Sequence, residues 1–292
     1  MKKSILFYKF VNLADPDMTV LWQHELCLRL GLLGRVIVSP HGINGTLGGD
    51  IDAVRYYKKA MNASNIFRGI HYKWSEMEGD EFPRLSVKAK PELVSFGAPE
   101  EIKVDDETGV IGGGGRLRPR ELHDFLHKHG DDVVFFDGRN LYESSVGKFK
   151  NAVVPQVNTS REFLTEIEKP EYADLKDRPI VTYCTGGIRC EILTVLMKNR
   201  GFQDVYQLDG GIVTYGKEFG DKGFWEGKCY VFDGRIQQAF SDKSATISSC
   251  RECGATTDHF SHCSNEPCGA QMIICEECES KNPSHLCIAC SS

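Results

Sequence analysis

The sequence predicts an α/β chain in three parts, and three observations predict it. Strand and helix signals alternate through the first 95 residues, a strand, loop, helix, strand unit follows from Asp131, and eight of the twelve cysteines crowd between Cys250 and Cys290. The chain has 292 residues, 41% of them hydrophobic and 26% charged, so it can bury more than one apolar core without cross-links. The clustered cysteines then need a chemical explanation.

In the first part, residues 4–10 form an apolar strand, and residues 17–30 show helical spacing at Val20, Leu21, Leu26, Leu28 and Leu30, ending near Gly31. Residues 35–39 and 45–47 are strands around a turn at His41-Gly42-Ile43-Asn44, with His41 serving the turn. Residues 50–61 form a helix opened by an aspartate cap, and residues 71–76 and 85–90 supply further strands. The order βαββαβ is that of a ferredoxin-like sandwich, assigned to residues 1–98. That fold decides no function by itself. Residues 99–117 follow as a linker, because the four glycines at 112–115 do not suit the interior of a helix or strand. Arg116-Leu117-Arg118-Pro119 lacks the chemistry of a phosphate-binding loop.

The second part, residues 118–235, opens with a helix over residues 119–128. It continues with two all-apolar runs, 133–136 and 179–183, suited to strands buried on both faces. Helices are read over 160–168, with a serine cap, and 191–199, and a third strand over 205–208. These make parallel βαβ units. Cys184 stands at the carboxyl end of a buried strand, just before a helix, where open α/β sheets hold ligands. Gly186 and Gly187 let the backbone curl so that several N–H groups face one centre, and the helix start adds partial positive charge. With Arg189 beside it, Cys184 should be ionised at neutral pH, nucleophilic and reachable from solvent. Cys190 is either a resolving thiol or a packed helix residue. Asp137 is read as an acceptor for loop amides near Cys184. Arg139 and Arg189 either bind an anionic substrate or are satisfied by Asp137, Glu143 or Glu191.

The run Cys184-Thr185-Gly186-Gly187-Ile188-Arg189 resembles the active-site loop of rhodanese domains, which carry sulfane sulfur as a cysteine persulfide. Asp137, Arg139, Tyr142-Glu143, Gly147-x-Phe149-x-Asn151-Ala152 and Leu208-Asp209-Gly210-Gly211-Ile212 support the resemblance. Cysteine phosphatases of the related fold use a loop one residue longer, so phosphatase activity is disfavoured. With His41-Gly42-Ile43-Asn44-Gly45-Thr46 in an acylphosphatase-like first domain, Cys190-Glu191 closing the loop signature, and cysteine pairs at the end, nearly the whole chain is similar to the rhodanese-domain tRNA uridine hydroxylases. The glycine stretch before Pro119 departs from that pattern. The resemblance implies oxygen-dependent conversion of the wobble uridine, position 34 of tRNA, to 5-hydroxyuridine, with Cys184 essential. Molecular oxygen would be co-substrate and the tRNA anticodon loop the partner. A persulfide sulfurtransferase and a zinc-dependent docking protein are the competing readings. No flavin, nicotinamide or facial-triad iron fingerprint supplies an electron source.

The third part, residues 245–292, holds Cys250-x2-Cys253, Cys263-x4-Cys268, Cys275-x2-Cys278 and Cys287-x2-Cys290. Four such pairs suit two tetrahedral thiolate sites, and zinc is the metal they favour, with iron–sulfur clusters and disulfides the other readings. Having few large apolar residues, this part should depend on metal to fold, and its negative balance favours a scaffold or a dock for a protein partner. The net charge of −6 argues against non-specific coating of nucleic acid, and no DNA partner is expected; only the N-terminal third is basic on balance, which suits RNA contact. No apolar stretch reaches membrane-spanning length, and Lys9 breaks the one run resembling a leader, so the expected location is the cytoplasm.

Overall fold

The computed structural model describes residues 1–77, 79 and 81–291. Strand β1 (Lys2–Phe10) leads to α1 (Pro16–Leu30), whose start is capped by Asp15 accepting from the Met18 amide and whose end turns through left-handed Gly31. Strands β2 (Leu33–Ser39) and β3 (Gly42–Asp50) pair Ser39 with Gly42, leaving Pro40-His41 as a two-residue hairpin turn. The turn therefore lies earlier than the sequence suggested, and Ile43-Asn44 belong to the strand. Gly42 permits this: its φ is +132°, and a Cβ there would sit 2.0 Å from the Lys9 carbonyl oxygen of β1. After α2 (Ile51–Ala63) come β4 (Tyr72–Glu76) and β5 (Leu85–Ala89). The sheet order is β4-β1-β3-β2-β5, the four antiparallel strands of a ferredoxin-like sandwich with β5 added parallel to β2. Ile5, Phe7, Val36, Val38, Ile43, Leu47, Val54 and Tyr57 fill its core.

The segment read as a linker is structured. It holds a hairpin of β6 (Val104–Asp105) and β7 (Gly109–Val110), then β8 (Gly115–Leu117), which pairs parallel with a strand of the next domain. The glycines that argued against a strand are what let one form, because a Cβ on Gly115 would lie 2.7 Å from the Tyr206 ring and one on Gly114 2.6 Å from the Val205 carbonyl oxygen.

The second domain continues with α3 (Pro119–His129), β9 (Val134–Asp137), α4 (Leu141–Ser145), β10 (Gly147–Phe149), α5 (Phe163–Glu166), β11 (Ile180–Tyr183), α6 (Ile188–Asn199), β12 (Val205–Leu208) and α7 (Gly211–Phe219). Its sheet is fully parallel in the order β8-β12-β11-β9. Both β9 and β11 are buried along their length, as their unbroken apolar runs require. Two helices differ from the sequence reading. Residues 160–168 give a 3-10 turn, Ser160–Glu162, and only four residues of α-helix, with a second 3-10 turn opening at Pro170. Conversely, α6 begins at Ile188 rather than Glu191, so that it abuts the cysteine loop directly.

Strand β13 (Trp225–Gly227) pairs with β10, and β14 (Cys229–Tyr230) with β15 (Gln237–Gln238). The tail follows as a hairpin of β16 (Phe260–His262) and β17 (Gln271–Ile273) and two short helices, α8 (Glu276–Lys281) and α9 (Ile288–Ser291). Tyr230 anchors it to the body, donating to the Gln271 side chain at 2.8 Å, and Lys228 forms an ion pair with Asp258. Among the described residues no helix is long and apolar enough to cross a membrane.

Candidate active site and metal centres

Strand β11 delivers Cys184 to the open end of the parallel sheet, and the chain then curls through Thr185, Gly186 and Gly187 into α6. Gly187 has φ +99°, a conformation that suits glycine, and its amide donates to the Cys184 sulfur at 3.1 Å. The amides of Arg189 and Cys190 also serve the sulfur. The outward side of the loop is tied down by the first turn of α7: Ile212 donates to the Cys184 carbonyl at 3.0 Å and Val213 to the Thr185 carbonyl at 3.1 Å. Gly211 is required there, since a Cβ would meet those same carbonyls and the Gly187 amide nitrogen at 2.5 to 2.7 Å. Carbonyls are thus held outward and amides inward. Burial alone would raise the thiol; the Cys190 side chain, Arg189 and the loop amides overcome it and lower Cys184 to about 5. Cys190 is itself fully buried, and burial, together with the Cys184 thiolate beside it, holds its thiol far up, so it serves as a protonated donor.

The arginines are matched by carboxylates. Arg189 makes a two-pronged bond to Glu143, at 2.5 and 2.6 Å, and its guanidinium lies 5.5 Å from the centre of the Phe232 ring. Arg139, wholly buried, grips Asp137 at 2.8 and 2.6 Å and the Gly147 carbonyl at 2.6 Å. Asp137 also accepts from the Arg139 backbone amide at 3.0 Å, so it serves a loop amide as well as the guanidinium. Arg116, on β8, pairs with Glu191 at 2.8 Å. Thr185 secures the far wall by donating to the Tyr230 carbonyl at 3.2 Å.

One expectation fails: Cys184 is only 1% exposed. The first domain lies over the loop that holds it. Leu6 packs over Gly186, whose added Cβ would fall 2.8 Å from a Leu6 methyl, and the Tyr8 hydroxyl stands over Gly187 and donates to Glu191 at 3.2 Å. Lys73 of β4 donates to the Gly186 carbonyl at 2.8 Å. These three residues were not read from the sequence. A signal existed in the unbroken apolar run 5–8, where a strand buried on one face would alternate; Leu6 and Tyr8 face the second domain. Beside the loop, a cleft of about 520 Å³ opens between the domains, lined by Tyr8, Tyr72, Lys73, Arg116, Glu191 and Gly210 among others.

In the tail the four cysteine pairs combine crosswise. Cys250 and Cys253 meet Cys275 and Cys278, and Cys263 and Cys268 meet Cys287 and Cys290, each set having its four sulfurs within 4.8 Å of one another. Cys253 and Cys275 sulfurs lie 3.7 Å apart and those of Cys268 and Cys287 3.6 Å. That is close to the edge, about 3.8 Å, of a tetrahedron with metal–sulfur bonds of about 2.3 Å. Both sets can hold a metal ion, and neither includes a histidine.

Three family models match this chain in turn: the UPF0176 acylphosphatase-like domain over residues 2–93, the rhodanese-like domain over 118–218, and the rhodanese C-terminal region over 226–291. Whole-length relatives go further. The tRNA uridine(34) hydroxylase of Corynebacterium jeikeium is 54% identical over 98% of this chain and 92% of its own. Those of Corynebacterium urealyticum and Arthrobacter sp. are each 51% identical, over 99% and 98% of this chain and 96% and 97% of theirs. The chain belongs to the tRNA uridine(34) hydroxylase family. In this chain the loop that holds the sulfur of Cys184 lies where the first two domains meet.

Proposed function

We propose that this protein hydroxylates uridine 34 of tRNA, with Cys184 as the catalytic nucleophile. The observation that carries the reading is an ionised cysteine in an amide-lined loop, in a chain about half identical from end to end to tRNA uridine(34) hydroxylases. Addition of the thiolate to C6 of uracil places enolate character on C5, the carbon that must accept oxygen. Once C5 carries a hydroxyl, loss of its proton and cleavage of the C6–S bond restore the double bond and release 5-hydroxyuridine. We take the oxygen atom from molecular oxygen, the second atom leaving as water after a reductant supplies two electrons. A wobble base sits in a single-stranded loop, so turning it out of the stack is cheap. The inter-domain cleft offers aromatic and cationic groups to receive it, and the first domain, residues 1–98, is the RNA-contacting part.

Zinc suits both four-thiolate sets, as a structural ion that fixes the fold of residues 245–292. A tRNA substrate places the reaction in the cytoplasm. The test is nucleoside mass spectrometry of tRNA from cells lacking the gene, complemented with wild-type protein or Cys184→Ser. Restoration of 5-hydroxyuridine by wild type alone is the expected result. Full restoration by the serine variant overturns the nucleophile, and thiosulfate:cyanide turnover with unchanged tRNA would favour sulfur transfer instead.

A further inference from the structure

A buried thiolate needs compensating charge, and around Cys184 most cations are already committed. Arg189 is bound through both prongs to Glu143, Arg139 to Asp137, and Arg116 to Glu191. Lys73 differs. Its ammonium reaches from the first domain onto the cysteine loop, hydrogen-bonds the neutral Gly186 carbonyl at 2.8 Å, and lies 5.1 Å from the centre of the Tyr8 ring. Lys73 also borders both the cleft between the domains and a small hollow of about 30 Å³ lined in part by Thr185 of the loop.

We propose that Lys73 is a positioning residue of the catalytic loop, contributed by the first domain of the same chain, whose charge helps keep Cys184 ionised and whose hydrogen bond fixes the Gly186 peptide. The active site is then complete only when the two domains are docked. This rests on Cys184 being the reactive group, though not on tRNA being the substrate.

The groups facing Lys73 fit that role. Burial, the largest influence, holds Lys73 below its ordinary value with some help from Lys217 of α7, while Cys184 from the loop, Asp209 from the β12–α7 turn and Glu191 from α6 favour its charged form. Facing Cys184 are Arg189 and Cys190 from α6 and Tyr8 from β1. Lys217 is held off by donating to the Trp74 carbonyl at 2.6 Å. The neighbouring peptide of β4 is thereby fixed, which aims Lys73 at the loop. In a partly desolvated site, one such charge hydrogen-bonded to the loop that holds the sulfur moves a thiol by about one pH unit.

The experiment is the pH dependence of Cys184 alkylation by iodoacetamide in the full chain, its adduct quantified by peptide mass spectrometry, for wild type, Lys73→Met, Lys73→Gln and Lys73→Arg. Altered access scales the whole curve, whereas lost charge moves its midpoint. The methionine and glutamine variants should show midpoints about one unit higher, equivalent to about tenfold less thiolate below the midpoint, with arginine restoring most of the shift. Should methionine be poorly folded, glutamine, which keeps an amide donor, decides alone. Midpoints unchanged in the folded variants overturn the proposal. Because the readout contains no RNA, it stands whether or not the nucleoside assay supports hydroxylation.

Discussion

At the residue scale, the chemistry of Cys184 depends on a contest between burial and field. A sulfur 1% exposed should be a neutral thiol, as Cys27 and Cys229 are, both pushed up to about 12, Cys27 by burial alone and Cys229 chiefly by burial. What differs at 184 is the inward-facing loop amides, the Cys190 thiol as donor and the nearby arginine. The thiol is depressed to about 5 in the folded protein, from an ordinary value near 9. Between those limits the unfolded chain binds a proton that the folded chain does not. Its stabilising contribution is therefore fully present above the ordinary thiol value and is lost as pH falls through about 5. Urea unfolding of wild type and Cys184→Ser at several pH values from about 5 to 8, below the range where the raised Cys190 thiol matters, isolates this contribution. The difference in stability should grow with pH, by at most about 1.4 kcal/mol per unit. A difference independent of pH would mean that the sulfur is not ionised in the folded state.

At the element scale, β1 acts on both of its faces. Ile5 and Phe7 enter the core of the first domain, while Leu6 and Tyr8 lie over the glycines of the cysteine loop. Trimming Leu6→Ala should raise the alkylation rate of Cys184 several-fold at every pH without moving its midpoint, since it removes cover and no charge; an unchanged rate would show that the sulfur is shielded elsewhere. This two-sided strand also shows what the sequence could reveal. Local patterns exposed β1 to β5, β9, β11 and β12, the four longest helices, the loop and the metal-ligand pairs, because each follows from neighbours within a few residues. The role of Lys73 was invisible, since its partner Gly186 lies more than a hundred positions away. Edge strand β8 was hidden for a related reason: its glycines signal a break locally and become an advantage only beneath Tyr206. The short α5 failed in the opposite direction, as a plausible helical pattern was cut to one turn after Glu166, with Pro170 opening a new 3-10 turn.

At the scale of the whole molecule, the three parts hold together by different means. The first two domains own extensive apolar cores, whereas the buried cluster of the tail consists of Cys250, Cys263, Met272, Ile274 and Cys287, three of the five being candidate ligands. Crosswise pairing ties residue 250 to 278 and residue 263 to 290, so each metal would close a loop that overlaps the other. Losing either ion should therefore loosen the whole tail rather than one half of it. The body does not share this dependence, because the cysteine loop is braced by α7, β1 and β4. Elemental analysis should give about two zinc ions per chain. Treatment with a strong chelator should make the tail beyond β15 sensitive to protease while residues 1–235 survive and Cys184 keeps its alkylation midpoint. Tyr230 is the point to watch, for it touches both Thr185 of the loop and Gln271 of the tail. If stripping the metal shifts the Cys184 midpoint as well, the tail reaches the active site through Tyr230; an intact, protease-resistant tail without metal would show that its cysteines need no ion to fold.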